Sequence, residues 1–538
     1  MKKKSILALI TAFLLWTAFT VTPNTVQAAT PIILHKWSNP MPVNDAVVSL
    51  DGNYVAAVNY SGLYFFSSAD PNPLWSYEPG VTLLSVAISV DGDFVIAGDN
   101  NGYLHYFNQS TSRNGEQLAP TWQSYDMGGP IEKGTMDMSA NGNYTVVGGT
   151  GVNTWYYANC HKRSNMSEIA TWISAPGVYD FLSVHISADG KHVAGGGSRY
   201  GGGFVTFFTN ATTKTGYISP TWYAYSQLGS SIIDVALSDD GYAVAAITST
   251  ITSLHYWANA SNLTEDPNAT WTDPSNFGSI DMSGDGDSLV AAGIALLSLH
   301  FWGNCRVREG VQTEDWVRLE DTSVTDEAIS KDGNIIVASA QTGPSNHTAY
   351  FLTSNGTIIN DYPLNQYSPI TSISATGNTI AVAGPGYDSL HVFTATLDIT
   401  PPYINEVTQQ PSADNVTPTD EVKIFANITD NETGVKLVTL NYTTGNGTWF
   451  TQTMTPYQTD IWNGTIPPFP YCNTITYVII AEDNANNSRT TLDLAIQLQY
   501  HVIPEYAVLL PLFIASTLIV VLAYKKTKRR TARTNFFL

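Results

Sequence analysis

Val86-Ala87-Ile88-Ser89-Val90-Asp91-Gly92-Asp93-Phe94-Val95-Ile96-Ala97-Gly98, followed shortly by Leu104-His105-Tyr106-Phe107, decides how the rest of the chain is read. It reads as a strand, an Asp-Gly turn, a second strand, a short loop and a third strand. Small and branched residues fill the first two strands, and large aromatics fill the third. Versions of the stretch return along the first three quarters of the chain. Its turn glycines are Gly52, Gly92, Gly142, Gly190, Gly241, Gly286, Gly333 and Gly377, at spacings of about 40 to 51 residues.

Ahead of each turn lies a segment built on an aromatic residue: Trp37, Trp75, Trp122, Trp172, Trp222, Trp271 and Trp316, with Tyr362 in the eighth. Each unit thus contributes four short strands, and a period of roughly 45 residues is the signature of propeller blades. A blade cannot bury both of its faces alone, so the ring must close. The last unit ends at Leu390-His391-Val392-Phe393 with no outer strand after it, while Leu34-His35-Lys36-Trp37 precedes the first hairpin. The N-terminal segment is expected to supply the missing strand and leave no open edge. The expected fold is all-β: an eight-bladed β-propeller over residues 30–396, with seven blades as the alternative because the eighth unit lacks its tryptophan.

Pro401-Pro402 marks a break. Beyond it, Val422-Lys423-Ile424-Phe425-Ala426-Asn427-Ile428, Val438-Thr439-Leu440-Asn441-Tyr442 and Thr476-Tyr477-Val478-Ile479-Ile480-Ala481 predict a β-sandwich over residues 397–500. At 538 residues the chain needs more than one core, and these two regions supply them.

Both ends read as addresses. Lys2, Lys3 and Lys4 precede an apolar run from Ile6 to Val21 and then Val26-Gln27-Ala28, the layout of a secretory signal peptide over residues 1–28. Residues 501–505 form a linker. Tyr506 to Tyr524 is long and apolar enough to span a bilayer as one helix, and Lys525, Lys526, Lys528, Arg529, Arg530 and Arg533 follow at once. That basic cluster keeps the tail 525–538 cytoplasmic, which predicts a single-pass type I membrane protein with the bulk of the chain outside.

The formal charge of −21 understates the acidity between the ends. Lys2 to Lys4 and the six basic residues after Tyr524 account for nine of 24, leaving 15 against 45 acidic residues, a net −30. Such a field repels nucleic acid and anionic lipid, so nucleic acid is excluded as a partner. Cys160, Cys305 and Cys472 are too few for a disulfide framework, and Cys160 and Cys305 fall at matching repeat positions too far apart to bridge.

Units such as Leu74-Trp75-Ser76-Tyr77 followed by Ser85-Val86-Ala87-Ile88-Ser89-Val90-Asp91-Gly92 resemble the WD-repeat-like propellers of archaeal secreted and surface proteins, over residues 31 to about 396. The closing Trp-Asp of intracellular WD repeats is missing, since Ser, Gln, Ile, Tyr, Thr or Val follows the Trp. The resemblance implies a scaffold or interaction role and brings no catalytic residues with it. The sandwich, with Asp430-Asn431-Glu432-Thr433-Gly434 and Glu482-Asp483-Asn484-Ala485-Asn486 as loop turns, resembles the immunoglobulin or fibronectin-like modules that stand near the membrane in such proteins. Ile503-Pro504-Glu505-Tyr506, the apolar run and the basic cluster resemble PEF-type C-terminal sorting signals, with Tyr506 where Phe is usual. That resemblance implies removal of the helix and a lipid anchor in its place.

Asn-x-Ser/Thr sequons support the outside address. There are 17, and the candidate glycosylation sites are Asn108, Asn143, Asn210, Asn259, Asn262, Asn268, Asn427, Asn431, Asn441 and Asn463.

Candidate chemistry is sparse. His105, His255, His300 and His391 recur at one repeat position, but sites related by ring rotation at that radius cannot share an ion, so they read as packing positions. No cofactor is expected. Calcium is the one ion whose ligands occur in part, in the turns Asp91/Asp93 and Asp285/Asp287 and in the sandwich loops at Asp430, Glu432 and Asp483, but a terminal bidentate Glu is lacking. Sialidase-type turns with an arginine cluster, a Gly-x-Ser-x-Gly elbow and a Cys-x-x-Cys-His haem site are all missing, so no enzyme activity is expected. Ligands on propellers meet the loops at one mouth of the ring. There the candidate contact residues are Tyr125, Asp126, Tyr179, Asp180, Arg199, Tyr200 and Phe277. The sequence therefore points to extracellular binding or adhesion, with a protein or glycan as partner. A structural part of the cell envelope is the first alternative, and an extracellular enzyme on the mouth loops the second.

Overall fold

The computed structural model describes residues 31–503 and 518–526, except for 149–155, 160–171, 175–179, 200–201, 226, 250–252, 294–296, 321, 344–345, 365–368, 387–389, 397–399, 431–432, 446–447 and 485–486. The chain divides into two units, Pro31–Thr396 and the part from Leu397 on. The signal-like residues 1–28 lie outside the described set.

Pro31–Thr396 folds as eight antiparallel sheets in chain order, each built on four strands. Their innermost strands are Asp45–Val48, Leu83–Ile88, Met136–Met138, Asp180–Ile186, Ile232–Leu237, Ser279–Met282, Ser323–Ile329 and Ile370–Ile373. Each innermost strand packs against the next, and the eighth against the first, so the sheets close a ring. The closing strand is N-terminal: Ile32–Asn39 pairs antiparallel with Leu390–Thr396 and completes the eighth sheet, as expected.

The second strand of a sheet does not alternate. Val55, Ala56, Ala57 and Val58 are all fully buried, as are Leu289, Val290, Ala291 and Ala292. A sheet wedged between two neighbours has no solvent face, so its sequence is a continuous run of small and branched residues rather than an in-out pattern.

Two local devices tie neighbouring sheets together. The first is the Ser-x-Asp-Gly turn. Ser89 Oγ donates to Asp91 Oδ1 at 2.7 Å and accepts from Phe94 N at 3.0 Å. Gly92 takes φ +74°, and the same turn recurs around the ring with φ between +67° and +77° at the other seven glycines. At Gly142 a Cβ would stand 2.3 Å from the Phe94 ring of the preceding sheet, so glycine is demanded there twice over. Backbone hydrogen bonds join these turns in a closed necklace: Asp51 N to Val90 O, then 90 to 140, 140 to 188, 188 to 239, 239 to 284 and 284 to 331, then Asp332 N to Ala375 O and Ala375 N to Leu50 O.

The second device is the tryptophan. Within a sheet it stacks on the aromatic residue paired with it on the third strand: Phe65 on Trp75, Tyr106 on Trp122, Phe207 on Trp222, Tyr256 on Trp271, Phe301 on Trp316. Its indole N–H then reaches the next sheet. Trp75 Nε1 donates to Ser110 O at 2.8 Å, Trp222 to Ala260 O at 2.8 Å and Trp271 to Cys305 O at 3.0 Å. Trp37 does the same to Ser68 O at 3.0 Å, which carries the latch through the closing strand.

One feature was not expected from the sequence. The loop before the outer strand of the second, fourth and sixth sheets runs back and adds a fifth, parallel strand to the sheet before it: Gly115–Gln117 beside Trp75–Tyr77, Gly216–Ile218 beside Trp172–Ser174, and Gly310–Val311 beside Trp271–Asp273. These strands cover outer edges that would otherwise be bare.

The second unit is a sandwich of two sheets. One orders Tyr403–Gln410, Val422–Thr429, Ile461–Ile466 and Thr455–Gln458; the other orders Trp449–Thr453, Val435–Thr443, Thr474–Asp483 and Ser488–Thr490. Here the strands do alternate, with Val422, Ile424, Ala426 and Ile428 buried against Val438, Leu440, Ile475, Ile479 and Ala481. Residues 518–526 are helical, and among the described residues no helix is long and apolar enough to cross a membrane. Most of the expected span 506–524 lies outside the described set.

Candidate functional site

Of the mouth-loop residues singled out by sequence, Tyr125, Asp126 and Phe277 have described side chains. Tyr125 is half-buried, and its carbonyl accepts from Ser124 Oγ at 2.8 Å. Asp126 is exposed and closes a turn by accepting from Gly128 N at 2.7 Å. Asp180 opens one strand and Arg199 ends its partner, while Tyr179 and Tyr200 lie outside the described residues. Phe277 corrects the expectation outright: it is 2% exposed, edge-on to His300 at 5.1 Å and to Trp302 at 5.3 Å. An aromatic residue after a polar loop reads as a surface contact, but the loop folds it into the gap between the fifth and sixth sheets.

The recurrent histidines are packing groups. His105 bonds Asp99 Oδ2 at 3.0 Å and the Tyr77 hydroxyl at 3.1 Å. His255 meets Ser253 at 2.5 Å, His300 meets Ser298 at 2.7 Å, and His391 meets His35 at 3.4 Å. Burial pushes the His255 imidazole down to about 4, so it is neutral and acts as a hydrogen-bonding wedge.

The acidic turns bond their own backbone. Asp285 Oδ1 accepts from Ser283 Oγ at 2.6 Å and Asp287 N at 3.0 Å. In the sandwich, Asp430 Oδ1 accepts from Thr433 N and Gly434 N, and Asp483 from Asn487 N and Nδ2. Among the described residues no three His, Cys, Asp or Glu side chains are placed to hold one metal ion.

Of the sequons, Asn210 and Asn259 are exposed at left-handed turns, φ +53° and +56°, and Asn262 is exposed beside Asn259. Asn108 is half-buried and accepts from Thr121 Oγ1 at 2.8 Å. Asn268 is exposed too, while Asn143 and Asn427 are half-buried. Asn441 and Asn463 have their side-chain carbonyls buried, and Asn431 lies outside the described residues.

What sequence reasoning missed is a charged group on the ring axis. The innermost strands carry an acid four or two residues before the turn serine: Asp45, Asp234 and Asp326 at the first position, Asp137 and Asp281 at the second. Each sends one oxygen to a backbone N–H of the next sheet, Asp45 to Val86, Asp137 to Ile186, Asp234 to Ile280, Asp281 to Ile329 and Asp326 to Thr371. Lys133, which precedes the third innermost strand, places Nζ 3.0 Å from Asp326 Oδ2 on the seventh. Four sheets on in a ring of eight is across the axis, so this ion pair bridges the ring.

At the turn side Lys331 Nζ meets Asp239 Oδ1 at 3.3 Å, and between the two levels His185 Nδ1 stands 3.6 Å from Asp137. Burial pushes the Asp45 carboxyl up to about 6 against the pull of Lys133, and burial likewise raises Asp137, Asp234 and Asp281. Glu327 is raised well above its usual range by burial and by the neighbouring Asp326. Burial disfavours the Lys133 ammonium, but Asp326 and Asp45 outweigh it and hold the group charged. The signal was in the sequence as acids at fixed distances from the turn serine; strands of this kind usually carry apolar residues there, and only the ring brings the acids together.

No protein family matches the sequence, and neither does any curated protein. Solved structures do match in fold, and they are β-propellers. The Dos1 propeller superposes with a TM-score of 0.50 at 9% identity, over 68% of this chain and 94% of that one. The propeller domain of Cps50 (Swd1) from Myceliophteria thermophila gives 0.45 at 8% identity, and BamB from Moraxella catarrhalis 0.47 at 11%, each over 68% of this chain and all of the other. The ring is a β-propeller, and at these identities the likeness concerns the fold alone.

Proposed function

We propose that the chain is a cell-surface protein that recognises a protein or glycan through an eight-bladed propeller held outside the cell, one blade per sheet. The observation that carries this reading is an aromatic patch at the outer edge of the fourth sheet. Tyr223 and Tyr225 stack with centroids 5.3 Å apart yet remain 43% and 51% exposed, and Tyr217 of the loop before them is 72% exposed. Stacked tyrosines offer rigid apolar area with a hydroxyl at its rim, which suits both sugar faces and protein surfaces.

In this reading residues 1–28 direct export, and residues 397–500 are an immunoglobulin or fibronectin-like module near the membrane. Residues 506–524 anchor the chain, or are exchanged for a lipid after PEF-type processing. The exposed sequons Asn210, Asn259, Asn262 and Asn268 would carry glycans, and the chain is not an enzyme. The test applies full-length protein in detergent to an array of defined oligosaccharides and to surface proteins of its own cells. A ligand held by the native chain, and weakened roughly tenfold by Tyr223→Ala with Tyr225→Ala, supports the reading. Equal retention by both forms, or none by either, overturns it.

A further inference from the structure

The axial group is built to hold charge that the chain does not itself supply in full. Asp45, Asp234 and Asp326 stand on the first, fifth and seventh sheets, and Lys133 enters from the third, so four sheets spaced evenly round the ring meet at one level. Lys331, Asp281 and Asp137 interact at a second level nearer the turns. Water reaches these groups although protein surrounds them: the side chains of Lys133, His185 and Lys331 are 42%, 38% and 30% exposed. The axis therefore leaves solvated space around these side chains and is not a packed core.

A separate observation shows that the charge is unfinished. Glu327, 5% exposed, receives a hydrogen bond from Ser279 Oγ of the preceding sheet on Oε2. Its other oxygen, Oε1, is buried without a hydrogen-bond partner, and the charges acting on it are those of Asp326, Asp234 and Asp281. A buried carboxyl oxygen left unpaired among three further carboxylates costs free energy that a positive ligand would recover.

The ligand is not a bare metal ion, because no three of the described acidic or histidine side chains converge on one point. The acids are instead spread over two levels, each already answered in part by one lysine ammonium. We propose that the axial channel binds a linear organic polyamine, whose ammonium groups sit at the two carboxylate levels as Lys133 and Lys331 do. Burial raises the Asp45 carboxyl to about 6 and the Glu327 carboxyl well above its usual range, and an arriving ammonium group pulls both down, so protons still held by the empty channel pass to the buffer. Binding therefore releases protons and tightens as the pH rises. Carboxylates on the outer surface are already ionised at neutral pH and release none.

Calorimetry of the full-length protein with spermidine tests this, at pH 6 and 7.5 and in two buffers of different ionisation enthalpy. The expected result is one site per chain with buffer-dependent heat, tighter at the higher pH. Lys133→Met, which removes the built-in competitor, is expected to bind about tenfold more tightly, and Glu327→Gln to release fewer protons. Should Glu327→Gln fail to fold, Lys133→Met and the buffer dependence still decide the matter. No saturable binding, or binding without proton release and unaltered by Lys133→Met, would place spermidine on the outer surface and overturn the proposal.

Discussion

Trp271 shows how one residue serves two sheets. Its ring stacks on Tyr256 in its own sheet while its N–H donates to Cys305 O in the next, and it is 1% exposed. Trp271→Phe keeps most of the ring but removes the shorter of two donors to Cys305 O, leaving the Arg308 N–H at 3.4 Å, so a loss of about 1 kcal/mol is expected in urea denaturation. Loss near zero would mean that stacking alone holds the sheets. The axial carboxyls act in the opposite sense. Asp45 titrates at about 6 in the fold against 3.8 as its ordinary value, so the folded state holds the extra proton. That contribution is complete below about pH 3.8 and is lost as the pH rises to about 6, an upper bound of roughly 3 kcal/mol. Asp137, Asp234, Asp281 and Glu327 are raised too and add to the same slope. Asp189 and Asp240 are lowered, the side-chain and backbone hydrogen bonds to them outweighing burial, so they matter only in more acid solution. Burial lowers His255 to about 4, and its slope runs the other way over the same window, so the axial acid is read from a difference: between pH 4 and pH 7 the unfolding free energy of the native chain should fall relative to that of Asp45→Asn, and a constant difference would contradict a buried axial acid.

Among the elements, the returning loops have a spacing of their own. A left-handed residue opens a short 3-10 turn, and a second left-handed residue follows six positions later: Gln109 and Gly115, Asn210 and Gly216, Asn259 and Glu265, Asn304 and Gly310. Glycine takes the second position three times. In the fifth sheet Glu265 takes it at φ +53°, where it bridges to Trp222 of the sheet before. A side chain pays a steric penalty there that glycine avoids. Since Glu265 is exposed, Glu265→Gly should stabilise the protein by about 0.5–1 kcal/mol in thermal or urea melts, and destabilisation would show that its carboxylate matters more than its backbone. The spacing was present in the sequence, but a six-residue interval inside a loop has no hydrophobic period to announce it.

At the scale of the molecule the closing strand decides whether the ring is one cooperative body. Ile32–Asn39 completes the eighth sheet, and Trp37 latches it to Ser68 of the first. Deleting residues 31–39 leaves two open faces and interrupts the tryptophan latch at that junction. The expected outcome is a lower urea midpoint and a shallower transition, as sheets next to the gap fray before the rest. An unchanged, equally steep transition would show that the necklace of turn hydrogen bonds is enough to hold the ring. The sandwich has a separate core and should retain its own transition in that variant.

The ring was legible in the sequence because its determinants are local and repeated. Ser-x-Asp-Gly needs only its own six residues to make its turn, and the Trp segment needs only the paired aromatic to make its strand. Eight copies then leave closure as the one way to bury every face, and the unpaired ends at Leu34 and Leu390 show where it happens. The axial group could not be read this way. Lys133 and Asp326 are 193 residues apart, and neither strand nor turn chemistry distinguishes Asp45 from an ordinary surface acid. Only the closed ring brings acids of separate sheets to a common axis, where burial of each carboxyl between neighbouring sheets raises its pKa. Phe277 fails for the same reason, since its burial depends on a neighbouring sheet's packing rather than on its own loop.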